Sequence, residues 1–77
     1  MSDHPKKMLV VDDDDIWRPR LARAMRERGL EVTTASDYDE AMQAAKDDHF
    51  DYAVVDLRMP GKGGLEVVRD LHERDAA

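Results

Sequence analysis

Cysteine is absent from this chain, and no run of apolar residues approaches the length of a membrane span. Without cysteine the protein can form neither disulfides nor thiolate metal sites, and the absence fits a reducing compartment. A membrane-spanning helix needs about 20 largely apolar residues, and the start of the chain leads into an apolar stretch too short for a signal peptide. We therefore expect a soluble cytoplasmic protein with no membrane partner.

Basic residues are also in the minority, with 12 Lys and Arg against 18 Asp and Glu and a formal net charge of -6. No basic stripe is long enough to follow a phosphate backbone, so direct nucleic-acid binding is not expected. The length of 77 residues allows one domain, below the usual size of about 100 to 150 residues. A chain this short buries about 60% of its unfolded surface, and we expect marginal stability.

Apolar segments alternate with helical patterns along the chain. The first and third segments, Met8 to Val11 and Tyr52 to Val55, are unbroken and predict strands buried in a parallel sheet. The second segment is polar at alternate residues, which predicts an edge strand. The predicted strands lie at about 6–11, 30–35 and 51–56, and the predicted helices at about 16–28, 37–47 and 64–74. This βαβαβα order indicates an α/β fold with right-handed crossovers.

Local features refine the predicted helices. Pro19 has no amide hydrogen, so the first helix should begin no earlier than Asp15, and both Asp14 and Asp15 are predicted to cap it. Ser36 or Asp37 is predicted to cap the second helix. The third helix is predicted to bury four apolar side chains, which are Leu65, Val67, Val68 and Leu71.

Acidic side chains follow two of the predicted strands. Asp12 and Asp13 come directly after the first strand, and Asp56 follows the third. In an open parallel sheet, ligands bind at the carboxyl ends of the strands, where these acids would meet if the two strands are neighbours. Two carboxylates about 4 Å apart repel by about 4 kcal/mol at an effective dielectric constant near 20. A divalent cation relieves this repulsion, and the all-oxygen ligands predict Mg²⁺ with Asp56 as a nucleophile toward a phosphoryl group.

The residues around these acids resemble the receiver domain of two-component response regulators. Val10-Val11-Asp12-Asp13 is similar to the acid pair of that family, and the segment from Val54 to Gly61 is similar to its phosphoacceptor motif. Gly64-Leu65-Glu66 is similar to the start of its third helix. The resemblance implies a flavodoxin-like fold with sheet order 2-1-3 in this part of the domain, and a histidine kinase as the partner.

The resemblance also implies a role for each of four residues. Asp56 would be phosphorylated, and the protein would be a phosphoacceptor rather than an enzyme. Asp13 and Asp56 would bind Mg²⁺ directly, Asp12 would bind it directly or through water, and Arg58 would contribute its backbone carbonyl.

The chain departs from the family beyond its third helix. In the family the fourth strand ends in Ser or Thr and the fifth in Lys, and both residues contact the phosphoryl group. Neither position is present in these 77 residues. We therefore expect a truncated receiver that lacks the last two strands and helices, binds the metal weakly and does not switch conformation.

Two alternatives belong to other functional classes. The first is a binding or self-assembly module, a homo-oligomer that pairs through the uncovered edge of the third strand, Ala53 to Val55, or through the third helix. The second is a phosphatase similar to the haloacid dehalogenases, because Asp12 to Asp15 also fits the Asp-x-Asp start of that family. The phosphatase hypothesis leaves the match from Asp56 to Leu65 unexplained.

Overall fold

The computed structural model describes residues 5–58 and 63–76, in which three strands alternate with three helices. The elements are β1 (Lys7–Val11), α1 (Trp17–Glu27), β2 (Glu31–Ala35), α2 (Tyr38–Asp47), β3 (Tyr52–Val55) and α3 (Gly64–Ala76). Their ends differ from the predicted ones by at most two residues. No helix in the described parts of the chain combines the length and apolar composition that crossing a membrane requires.

The strands form one parallel sheet in the order β2-β1-β3, which confirms the predicted α/β fold and the sheet order 2-1-3. Val11 of β1 is aligned with Ala35 of β2 and with Val55 of β3. The amide of Asp12 donates to the carbonyl of Ala35 at 3.1 Å, and the amide of Asp56 donates to the carbonyl of Val11 at 2.8 Å. Because of this register, the residues that directly follow β1 and β3 lie at the same level along the sheet.

The central strand β1 forms the core. Leu9 and Val11 are fully buried and pack with Ala41 of α2 and Val67 of α3. Val10 points to the opposite face, since side chains alternate along a strand, and it is also fully buried. The predicted burial of the first strand is therefore confirmed.

The predicted burial of the third strand is wrong. Tyr52 is 51% exposed and Val54 is 40% exposed, because β3 pairs with β1 and forms an edge of the sheet in the described residues. The same edge position affects α3. Val67 is fully buried as predicted, but Leu65 and Val68 are 69% and 46% exposed. A helix lying over an edge strand buries a narrow stripe, and these two side chains fall outside it.

Acidic side chains accept amide hydrogens at the start of the first two helices. Asp14 accepts the amide hydrogens of Trp17 and Ile16 at 2.9 and 2.8 Å. These two bonds lower the pKa of Asp14, and the bond from Trp17 makes the larger contribution. Because α1 begins at Trp17, Pro19 is its third residue and lies in the first turn, where an amide hydrogen is not needed. Asp37 caps α2 by accepting the amide hydrogen of Glu40 at 2.8 Å. The predicted cap by Asp37 is confirmed, whereas Ile16 holds the N-cap position of α1 and Asp14 accepts the amide hydrogens at the start of that helix from two residues further back.

Candidate metal centre

Three carboxylates converge at the carboxyl end of the sheet. Asp12, Asp13 and Asp56 each place one oxygen in a group whose members all lie within 4.8 Å of one another. The alignment of Val11 with Val55 explains this arrangement, because each of these residues directly precedes an acid. The structure thus brings together all three acids that the sequence singles out.

Two of these carboxylates are oriented by their own turns. Asp12 is 9% exposed, and its Oδ1 accepts the amide hydrogen of Asp14 at 2.9 Å. The side chain of Asp56 is 23% exposed, and its Oδ1 accepts the amide hydrogen of Arg58 at 2.9 Å. Asp13 is exposed. A carboxylate has about four acceptor positions, so one amide bond fixes its direction and leaves room for a ligand.

The three acids line a groove of about 730 Å³. Trp17 and Leu21 of α1 line it together with Arg58, whose Nε lies 3.9 Å from Oδ1 of Asp56. The Arg58 side chain is 94% exposed, so this contact with Asp56 is weak. The role predicted for the Arg58 carbonyl stays a prediction, and residues 59–61 of the phosphoacceptor motif lie outside the described residues.

Gly64 is a residue whose importance to this site the sequence analysis missed. A Cβ atom on Gly64 would lie 2.2 Å from the carbonyl oxygen of Asp56 and 2.5 Å from Cα of Leu57. The start of α3 therefore packs directly against the loop that carries Asp56. Glu66 holds this start by accepting the amide hydrogen of Gly63 at 2.8 Å, as in half of a capping box. The available sequence signal was a glycine at the first position of a predicted helix.

Arg18 is a second residue that the sequence analysis missed. Its Nη1 donates to the carbonyl oxygen of Asp12 at 2.8 Å, and its Nη2 donates to Oδ1 of Asp15 at 2.7 Å. Asp15, which was predicted to cap α1, accepts this bond instead. The sequence signal was the spacing of three residues between Asp15 and Arg18 on a helix, which favours an ion pair.

The donor set fits a hard divalent cation. Three carboxylates within 4.8 Å provide oxygen ligands alone. Mg²⁺ is commonly bound by one or two carboxylates together with water and phosphate oxygens, and the open groove leaves room for both.

Comparison with known proteins identifies the family. The family model described as response regulator receiver domain matches residues 8–77. The chain belongs to this family. Receiver domains act in two-component signal transduction as phosphoacceptors, and this chain has their fold.

Individual relatives support the same conclusion. The chain is 44% identical over 69 residues to the photosynthetic apparatus regulatory protein RegA of Cereibacter sphaeroides, a match covering 90% of this chain and 38% of RegA. It is 37% identical over 68 residues to the two-component response regulator PhoP of Pseudomonas aeruginosa, covering 88% of this chain and 30% of PhoP. This chain therefore spans less than half the length of these relatives.

Solved structures match over more of their length. The chemotaxis protein CheY4 of Vibrio cholerae superposes with a TM-score of 0.89 at 32% identity, covering 94% of this chain and 60% of CheY4. The response regulator TrrA of Thermotoga maritima, solved in complex with Mg²⁺-BeF, gives 0.85 at 34% identity and covers 92% of this chain and 62% of TrrA. A chain in the complex of TrrA with the histidine kinase ThkA gives 0.82 at 35% identity, covering 90% of this chain and 60% of that chain.

Proposed function

We propose that Asp56 accepts a phosphoryl group from the phosphohistidine of a histidine kinase, with Mg²⁺ held by Asp12, Asp13 and Asp56. The observation that carries this proposal is the convergence of these three carboxylates within 4.8 Å in a chain of the receiver family. The response regulator TrrA was solved both with Mg²⁺-BeF and with the histidine kinase ThkA, which supports the same cation and the same class of partner here.

Asp56 is the proposed nucleophile. It lines the groove, and the Arg58 amide fixes the direction of its carboxylate through Oδ1. A carboxylate oxygen of Asp56 attacks phosphorus, a new P–O bond forms, and the P–N bond to the imidazole breaks with its electron pair returning to nitrogen. Bound Mg²⁺ would supply the positive charge that offsets the repulsion between the acids and the phosphoryl oxygens.

Asp12 and Asp13 are proposed as cation ligands rather than phosphoacceptors. Asp12 is nearly buried and is held by the Asp14 amide, so its carboxylate is less accessible to a donor than that of Asp56. We propose that the Arg58 carbonyl is a further ligand. The protein would accept one phosphoryl group per chain and would not turn over as an enzyme.

These 77 residues include no counterparts of the Ser or Thr and the Lys that contact the phosphoryl group in the family. We therefore propose that the chain, tested by itself, binds Mg²⁺ more weakly and is phosphorylated more slowly than a receiver that carries both residues. The net charge of -6 does not favour direct binding to nucleic acid.

Phosphoryl uptake should depend on a divalent cation. Incubation of the chain with acetyl phosphate and Mg²⁺ is expected to add the mass of one phosphoryl group, measured on the intact protein by mass spectrometry. The same incubation with EDTA in excess over Mg²⁺ should add none, because Asp12, Asp13 and Asp56 then repel the anionic donor. Equal uptake with and without the chelator would rule out the proposed cation.

A second candidate function is self-association through β3. The edge strand exposes the apolar side chains of Tyr52 and Val54. An apolar groove of about 460 Å³ lies next to this strand and is lined by Phe50, Leu57 and Leu71. An exposed edge strand with apolar side chains can pair with another chain, which makes a homo-oligomer through β3 or α3 the second proposal.

Charge placed on the β3 edge should prevent this association. We expect light scattering at increasing concentration to show a mass above that of a monomer for the wild-type chain and a monomer for Val54→Lys, since a lysine on an edge strand opposes strand pairing. Thr33→Lys is the matched control, because Thr33 is an exposed residue of β2 on the opposite edge. A wild-type chain that stays monomeric and folded at every concentration would remove this candidate.

A further inference from the structure

Arg18 connects the first turn of α1 to the acidic loop of the candidate metal centre. Its side chain is 17% exposed, although arginine is normally among the most exposed residues. One arm of the guanidinium donates to the carbonyl oxygen of Asp12 at 2.8 Å, and the other donates to the carboxylate of Asp15 at 2.7 Å. Both ends of the loop 12–15 are therefore bound to one rigid group.

The bond to the Asp12 carbonyl acts on two proposed cation ligands at once. This carbonyl belongs to the peptide group that joins Asp12 to Asp13, so fixing it restricts the backbone from which both carboxylates project. The opposite side of Asp12 is also held, because its amide donates to Ala35 and its Oδ1 accepts from Asp14. Arg18 completes this set of bonds from the helix side.

Lysine could not replace these contacts in full. A guanidinium presents its donors in a planar fork that can reach two acceptors in fixed directions, whereas an ammonium is a single point of charge on a flexible stem. The two Arg18 bonds diverge from Nη1 and Nη2 to acceptors on different residues. The two bonds therefore depend on the planar, forked arrangement of the guanidinium donors.

We propose that Arg18 is a positioning residue for the cation site, which holds the Asp12–Asp13 peptide in the orientation that lets both carboxylates face the cation. The proposal extends the function proposed above and depends on it for the identity of the ligand. Arg18 touches neither the cation nor the phosphoryl group in this proposal, and its effect passes through Asp12 and Asp13.

Removing Arg18 would have two effects, one on charge and one on orientation, and they change the affinity for the cation in opposite directions. Removal of a positive charge near the acids would by itself strengthen the binding of a cation, because less repulsion remains. Loss of orientation would weaken the binding, since residues that position metal ligands typically contribute about 10- to 100-fold to metal affinity. The direction of the change therefore distinguishes the two effects.

The test is a Mg²⁺ titration of the whole chain followed by the fluorescence of Trp17, the single tryptophan, which lines the groove. We expect Arg18→Met to raise the Kd for Mg²⁺ by about tenfold. The matched control is Arg23→Met, which removes the same charge from an 83% exposed side chain on α1 whose ion-pair partner is Glu27. The control is expected to bind Mg²⁺ as well as the wild-type chain or slightly better.

A second measurement in metal-free protein reports on the loop itself. The amide hydrogen of Asp14, which is bonded to Asp12, should exchange with solvent about tenfold faster in Arg18→Met than in Arg23→Met, because a loosened loop exposes it. If Arg18→Met does not fold by circular dichroism, Arg18→Lys and Arg23→Lys take the places of the two variants, with the same directions expected.

The outcomes separate this inference from the proposed function. A folded Arg18 variant that binds Mg²⁺ as tightly as its control, or more tightly, overturns the positioning role while the metal site stands. A wild-type chain that binds no Mg²⁺ removes the proposed cation site, and exchange of the Asp14 amide then decides by itself whether Arg18 orders the loop. If the Asp14 amide then exchanges at the same rate in Arg18→Met and in Arg23→Met, the role of Arg18 in ordering the loop is overturned as well.

Discussion

Asp56→Asn is expected to take up no measurable phosphoryl group under conditions in which the wild-type chain gains one. The asparagine amide is neutral and a poor nucleophile, yet it has nearly the same shape as the carboxylate and can still accept the Arg58 amide hydrogen. Loss of a nucleophile typically costs far more than a thousandfold in rate, so we expect uptake to fall by at least about that factor. Intact-mass spectrometry after incubation with acetyl phosphate and Mg²⁺ measures the difference.

Asp14→Asn is the matched control for this substitution. The Asp14 carboxylate accepts the amide hydrogens of Ile16 and Trp17 at the start of α1. It is not one of the three carboxylates that converge at the candidate metal centre. Asparagine serves these bonds nearly as well as aspartate, so the control should keep wild-type uptake. Undiminished uptake in Asp56→Asn would refute the assignment of the phosphoacceptor. Turnover of a phosphate ester that is lost in Asp14→Asn and kept in Asp56→Asn would instead support the phosphatase alternative.

Gly64→Ala is expected to destabilise the chain by about 3 kcal/mol or more, at the upper end of the cost of overpacking. The new methyl group would lie 2.2 Å from the carbonyl oxygen of Asp56 and 2.5 Å from Cα of Leu57, which are backbone atoms that cannot rotate away. A domain of this size has a free energy of unfolding of about 4 to 12 kcal/mol, so the loss is a large share of the total. Urea unfolding followed by circular dichroism measures the change.

Gly63→Ala is the control for this effect, because the nearest atom to a Cβ on Gly63 is the carbonyl oxygen of Leu57 at 4.0 Å. We expect its free energy of unfolding to lie within about 0.5 kcal/mol of the wild-type value, as for other substitutions outside a packed contact. If the unfolding curves of the two alanine variants coincide, α3 does not pack against the Asp56 loop as the structure places it. Since Gly64 supports the backbone of Asp56, we also expect slower phosphoryl uptake in whatever fraction of Gly64→Ala remains folded.

The local pattern of the sequence was sufficient to predict the order of the elements and the end of the sheet at which the acids meet. Asp12, Asp13 and Asp56 directly follow apolar segments, and a parallel sheet brings the carboxyl ends of neighbouring strands to one edge. Their convergence thus follows from strand pairing alone. The same reasoning could not predict burial at the edge of the sheet. An unbroken apolar segment such as Tyr52 to Val55 is typical of a central strand, and exposure there depends on what lies beside it.

The sequence by itself determined the βαβαβα order, the family and the three acids of the candidate metal centre, because strand and helix periodicity and short motifs are local properties. Only the tertiary structure decided that Gly64 supports Asp56 and that Arg18 holds the carbonyl of Asp12. Both contacts involve backbone atoms of a loop, and a backbone carbonyl carries no sequence signal of its own. The physical reason is that such contacts depend on how the elements pack in three dimensions, which the spacing of residues along the chain does not specify.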